Sequence, residues 1–205
     1  MRFRFRTLVL ALAMVPSAFA YEYPLSPTAV RDAYFLGSGP KGTSGDFYSK
    51  YVHNLAIPPT APPVSYVSIE TPYLQIAEHS RDALNYDARD AVKEFQNKAM
   101  TFRVFTEVYY RPRNSDGSST HSPPADETHD IQVRLLQHDR EVDAEIADRW
   151  DLTVFRDAET SVESVGQHVE LTCRAEKIDS SPLTVEVETP DGRRAETTFD
   201  LAEMK

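Results

Sequence analysis

The sequence predicts a mainly β, α+β chain: an antiparallel β-sandwich-like domain with an N-terminal helical arm and one inserted amphipathic helix. Leu183, Val185 and Val187 alternate with Thr184, Glu186 and Glu188, and after Thr189-Pro190-Asp191-Gly192 the pattern resumes with Ala195, Thr197, Phe199 and Leu201. Apolar residues at every second position on both sides of a Pro-Asp-Gly turn are what a β-hairpin with one buried face requires. A lone hairpin is not stable in water, so its apolar face needs a second sheet, and earlier segments of similar pattern supply one. The connections between those segments are too short for repeated helical crossovers, which disfavours a parallel doubly wound sheet.

From the start of the chain, Arg2, Arg4 and Arg6 precede an apolar run at 8–15 and then Ala18-Phe19-Ala20. A basic head, a short apolar middle and small residues at the minus-three and minus-one positions identify residues 1–20 as a secretory signal peptide cleaved after Ala20. The run falls short of the roughly 20 residues that cross a bilayer. The residue directly after the cleavage point is Tyr21 rather than a lipid-accepting Cys and no later run is apolar enough to span, so the expected location is exported, periplasmic or secreted. Taking 20 residues from 205 leaves 185, enough for one domain and an arm. Loss of three leader arginines moves the formal charge from −10 to −13. So acidic a surface repels phosphate backbones and anionic headgroups, and nucleic acid is not an expected partner.

Residues 21–56 read as the helical arm. Ser26 can cap a helix, Pro27 suits its first position and Gly37 its end, while Ala29, Val30, Ala33, Phe35 and Leu36 give it an apolar side; a helix is predicted over 27–36. The glycine-rich loop at 37–45 lacks a Gly-Lys-Ser/Thr ending and a preceding strand, so no phosphate cradle is expected. It lacks Gly-x-Ser-x-Gly spacing as well. A second short helix is predicted over 46–55, with Phe47, Tyr51 and Leu55 on one side and His53 near its C-terminal end. Prolines 58, 59, 62 and 63 make 57–63 an extended connector into a domain over 64–205.

In that domain, strands are predicted over 64–70, 74–78 and 101–110, the first two separated by Thr71-Pro72. Ala88, Ala91, Val92 and Phe95 recur at helical spacing and place the inserted helix within 86–98. After a Pro-, Ser- and Asp-rich irregular segment, strands follow over 131–137, 142–146, 150–155 and 169–175, with 138–141 as a polar link. The single mature cysteine, Cys173, is in phase with Val169, Leu171 and Ala175. It is therefore expected on the buried face as a small hydrophobe rather than as a nucleophile, with no internal disulfide.

Chemistry motifs are scarce. His121, Asp126, Glu127, His129 and Asp130 gather within ten positions, and imidazoles and carboxylates are proper ligands for zinc and similar ions. The set matches no established ligand spacing and Pro123-Pro124 holds part of it extended, so His121, Asp126, His129 and Asp130 stand as weak metal candidates in what reads as a solvated loop. His79-Ser80-Arg81-Asp82 contains the residue types of a hydrolytic triad, but triads are assembled in space rather than from neighbours in sequence. No catalytic or cofactor-binding residue is assigned.

The preferred functional expectation is an exported, soluble, non-enzymatic binding or assembly module. Its partner would be another exported or envelope protein met through the arm, whose Tyr21, Tyr23, Tyr34, Phe35, Phe47, Tyr48 and Tyr51 are core material first and interface second. The alternative is a metal-dependent or Ser/His hydrolase with active-site residues dispersed in sequence.

Overall fold

A computed structural model describes residues 21–39, 45–54, 64–109, 130–155, 162–189 and 192–204. The leader, the 57–63 connector and three of the four metal candidates, His121, Asp126 and His129, lie outside them.

Two antiparallel sheets face each other. The first takes β1 (Val52–His53), β2 (Val64–Glu70), β3 (Thr101–Tyr109), β6 (Glu145–Phe155) and β7 (Val162–Arg174) in the order β1-β2-β3-β7-β6. The second takes β4 (Gln132–Gln137), β5 (Arg140–Glu141), β8 (Leu183–Glu188) and β9 (Arg194–Phe199) in the order β5-β4-β8-β9. Period-two alternation does what it must: Phe102, Val104 and Val108 of β3, Val169, Leu171 and Cys173 of β7, Leu183, Val185 and Val187 of β8 and Phe199 of β9 share one buried core. The closing hairpin is in the expected register, with Val185 opposite Thr197 and Leu183 opposite Phe199. Cys173 is buried in that core and burial pushes its thiol up to about 11, which keeps it a neutral thiol.

Over the end of the five-stranded sheet lie α1 (Pro27–Ser38), α3 (Pro72–Asp82) and α4 (Ala88–Asn97), with a single-turn α2 (Gly45–Ser49) beside β1. Ser26 Oγ accepts from the Ala29 amide at 3.2 Å and Pro27 opens α1, as its residue types require. Val30, Ala33, Tyr73, Ile76, Ala91 and Met100 form a second buried cluster where these helices meet. Gly37 marks their closest approach: a Cβ there would fall 1.8 Å from the Ala77 carbonyl oxygen. The arm also reaches the main core. Tyr21 donates from its amide to Leu201 O and from its hydroxyl to Ala175 O, each at 2.8 Å, and Tyr51 is buried against the sheets.

Three expectations change. The 74–78 segment is helix, not strand, because Thr71 Oγ1 caps it by accepting from the Leu74 amide and Pro72 fills its first position. Tyr73, Ile76, Ala77 and Ser80 then fall on one buried face. The second arm helix stops at Ser49, and His53 sits in strand β1, where its Nδ1 lies 2.8 Å from Thr197 Oγ1 and its ring stacks on Phe199 at 4.1 Å. The 150–155 strand starts earlier, at Glu145, while residues 142–144 carry the chain from one sheet to the other.

Candidate ligand-binding cleft

Two helices, one presenting a polar stripe and the other a mixed one, line a cleft. On α3, Gln75, Glu78, His79 and Asp82 stand at i, i+3, i+4 and i+7; Ala91, Glu94, Phe95 and Lys98 repeat that spacing on α4 and its cap. Asp87 fixes where α4 begins, its side chain accepting from the Arg89 and Asp90 amides while Asp90 reaches back to the Asp87 amide in a capping box. Tyr86 closes one end of the cleft, and Glu70 and Arg103, from the ends of β2 and β3, form its floor. The space measures about 340 Å³, within the range of small-ligand sites.

Four carboxylates, Glu70, Glu78, Asp82 and Glu94, line this space against Lys98, Arg103 and the imidazole of His79. Arg103 is committed: Nη1 lies 2.8 Å from Glu70 Oε2 and Nη2 lies 2.7 Å from Glu170 Oε1. Glu70 is nearly buried. Desolvation is the largest influence on it and outweighs Arg103, and a hydrogen bond shared with Glu78 adds to it, so the Glu70 carboxyl is raised to about 7. At neutral pH the Glu70 carboxyl is therefore about half protonated.

At the other end of the cleft, the Tyr86 hydroxyl donates to Glu94 Oε2 at 2.9 Å, and burial together with that acceptor keeps the phenol protonated. His79 Nε2 lies 3.6 Å from the same oxygen, its ring meeting Tyr86 edge to face at 4.7 Å. Lys98 Nζ is 3.6 Å from Glu94 Oε1. An oriented carboxylate, a phenol ring, an imidazole and an ammonium group thus converge on one open space.

Comparison of the chain with protein-family models, with curated proteins and with solved structures finds no match. The chemistry of the cleft is accordingly read from its own side chains.

Among the described residues that line the cleft there is no serine, threonine or cysteine. The triad-like run is dispersed by its helix: His79 faces the cleft, Ser80 points the other way and donates to Ala77 O at 2.9 Å, and Asp82 is held by its neighbour Arg81 at 3.0 and 3.1 Å. Among the described residues no three His, Cys, Asp or Glu side chains are grouped to hold a metal ion. Of the metal candidates, Asp130 is described, and its Oδ2 pairs with Arg149 Nη1 at 2.6 Å. Among the described residues no helix is long and apolar enough to cross a membrane.

Sequence reasoning met His79 only in a triad-like run that it set aside, and it passed over Glu70, Glu78, Tyr86, Glu94 and Lys98. The signal was present as one polar i, i+3, i+4, i+7 stripe, Gln75, Glu78, His79 and Asp82, and as Glu94 and Lys98 beside the apolar spacing of α4. Reading 74–78 as a strand hid the stripe.

Proposed function

We propose that the chain is an exported, non-enzymatic binding module and that the α3–α4 cleft receives a cationic group of its ligand, such as a primary amine or the side chain of a basic peptide. The observation that carries this is the cleft's charge: four carboxylates against two cations, one of which, Arg103, is already bridged between Glu70 and Glu170. Carboxylates in a partly desolvated recess attract a cation more strongly than the same groups on open surface. The rings of His79, Tyr86 and Phe95 add aromatic surface to which an ammonium or guanidinium group is drawn. The basic head and small-residue cleavage site of residues 1–20 support export. Burial of Tyr21 and Tyr51 in the main core supports an arm that braces the helices around the cleft before it offers a surface to any partner.

Calorimetric titration with trilysine, spermidine and citrate tests this. The two cations are expected to bind with an affinity that falls steeply with salt, and Glu78→Gln with Glu94→Gln to weaken them by about ten-fold, the equivalent of 1.4 kcal/mol. Binding of citrate as tight as that of trilysine, or no heat from either cation at millimolar concentration, contradicts the proposal.

A further inference from the structure

The two long sides of the sandwich are finished differently. Along one, β1 and β9 are joined by the His53–Thr197 hydrogen bond and the His53–Phe199 stack. Along the other, the 11-residue strand β6 ends the five-stranded sheet and, among the described residues, pairs only with β7. No proline and no lysine interrupts it, so it offers a row of backbone donors and acceptors to another strand. Two of its apolar side chains stand in solvent, Ile146 at 55% and Trp150 at 46% exposure. Bulges between Ile146 and Asp148 and between Leu152 and Thr153 leave a regular stretch over 148–152.

The order of residues in that stretch, Asp148-Arg149-Trp150-Asp151-Leu152, selects the partner. Paired antiparallel with itself about a two-fold axis at Trp150, it sets Trp150 against Trp150 and Arg149 against Asp151, the ion pair occurring twice. Moving the axis to Arg149 would oppose two arginines, and moving it to Asp151 would oppose two carboxylates. Within one chain Arg149 uses Nη1 for Asp130 and Nη2 for the Ile131 carbonyl, and its Nε is buried without a hydrogen-bond partner. Trp150 already lies flat on His168, centroids 3.6 Å apart, so a second indole would extend an existing stack.

We infer that β6 is a self-association edge: a second copy of this chain adds its own β6 antiparallel over residues 148–152, centred on Trp150. The inference is independent of the cleft, which lies among the helices at the end of the sheet.

Disulfide trapping tests the register. Directly opposed residues in an antiparallel pair have Cα atoms about 4.5–5.5 Å apart, inside the range a disulfide spans, and Cys173 is buried and does not compete. Under mild oxidation Trp150→Cys is expected to give a covalent dimer, whereas Asp148→Cys, opposite Leu152, gives several-fold less. In the unmodified protein the sole tryptophan is Trp150, so its emission should shift to the blue as concentration rises, in step with dimer mass by light scattering. Asp151→Arg, which faces Arg149 of the second copy, should abolish both changes while the far-ultraviolet circular dichroism stays that of wild type. A wild-type monomer at millimolar concentration, equal trapping at 148 and 150, or an Asp151→Arg protein of native dichroism that still dimerises would each overturn the inference.

Discussion

The imidazole of His168 lies parallel to the indole of Trp150, with ring centroids 3.6 Å apart and planes 10° from parallel. Desolvation is the main influence on this histidine and lowers its pKa below the ordinary 6.5, despite Glu107, Glu170 and Asp148 nearby. Because the folded pKa is lowered, the unfolded chain takes up a proton first, and the stability that neutral His168 contributes is lost as pH falls from 6.5 through the folded value. An imidazolium quenches a stacked indole, so tryptophan emission should drop with a midpoint below 6.5 and the step should vanish in His168→Phe. A midpoint above 6.5 contradicts the assignment.

Glu70 works in the opposite direction. Its carboxyl is raised from 4.5 to about 7, mainly by burial, so its contribution to stability is fully present below 4.5 and is lost as pH rises through 7. At 1.36 kcal/mol per pH unit the interval corresponds to roughly 3 kcal/mol. Urea unfolding at pH 5 and pH 8.5 should show wild type losing stability relative to Glu70→Gln by an amount of that order. A difference independent of pH would show that burial does not raise the group.

Ligand affinity should follow the same titration. As pH falls through 7 the Glu70 carboxyl takes up a proton and removes one negative charge from the cleft, so a trilysine ligand is expected to bind more tightly as pH rises from 6 to 8. In Glu70→Gln the slope should flatten. An affinity that falls with rising pH over this range would contradict the charge basis of binding.

Gly37 should be intolerant of any side chain. A Cβ placed there falls 1.8 Å from Ala77 O and 2.2 Å from Ser80 Oγ, and the backbone atom cannot step aside without separating α1 from α3. Gly37→Ala is expected to cost about 1–3 kcal/mol, as overpacking does, by thermal or urea unfolding. Gly192 makes the contrast: it has a φ of +78° with nothing within 4 Å of its Cβ position, so Gly192→Ala is limited to backbone strain of about 1 kcal/mol.

The two sheets were legible wherever one face is buried and the other wet, as in β3 and the closing hairpin, because period-two burial writes itself directly into side-chain polarity. Helix α1 was legible from Ser26 and Pro27, and α4 from its apolar spacing. Helix α3 was misread because Leu74 and Ile76 mimic a short strand, and only the longer spacing of Tyr73, Ile76, Ala77 and Ser80 separates the two periods. The cleft was illegible for a different reason. Glu70 and Arg103 come from strand ends and meet Glu78 and Glu94 only once two helices are laid over the sheet, a tertiary relationship that no local pattern carries.

The most direct test of the cleft is a proton NMR titration of the histidine ring signals with trilysine, six imidazoles being few enough to assign by single substitutions. The His79 ring should shift progressively to saturation, while His138, paired with Asp179 elsewhere on the surface, and buried His168 stay in place. Shifts confined to those other rings, or a His79 signal unmoved at saturating ligand, would contradict binding between α3 and α4.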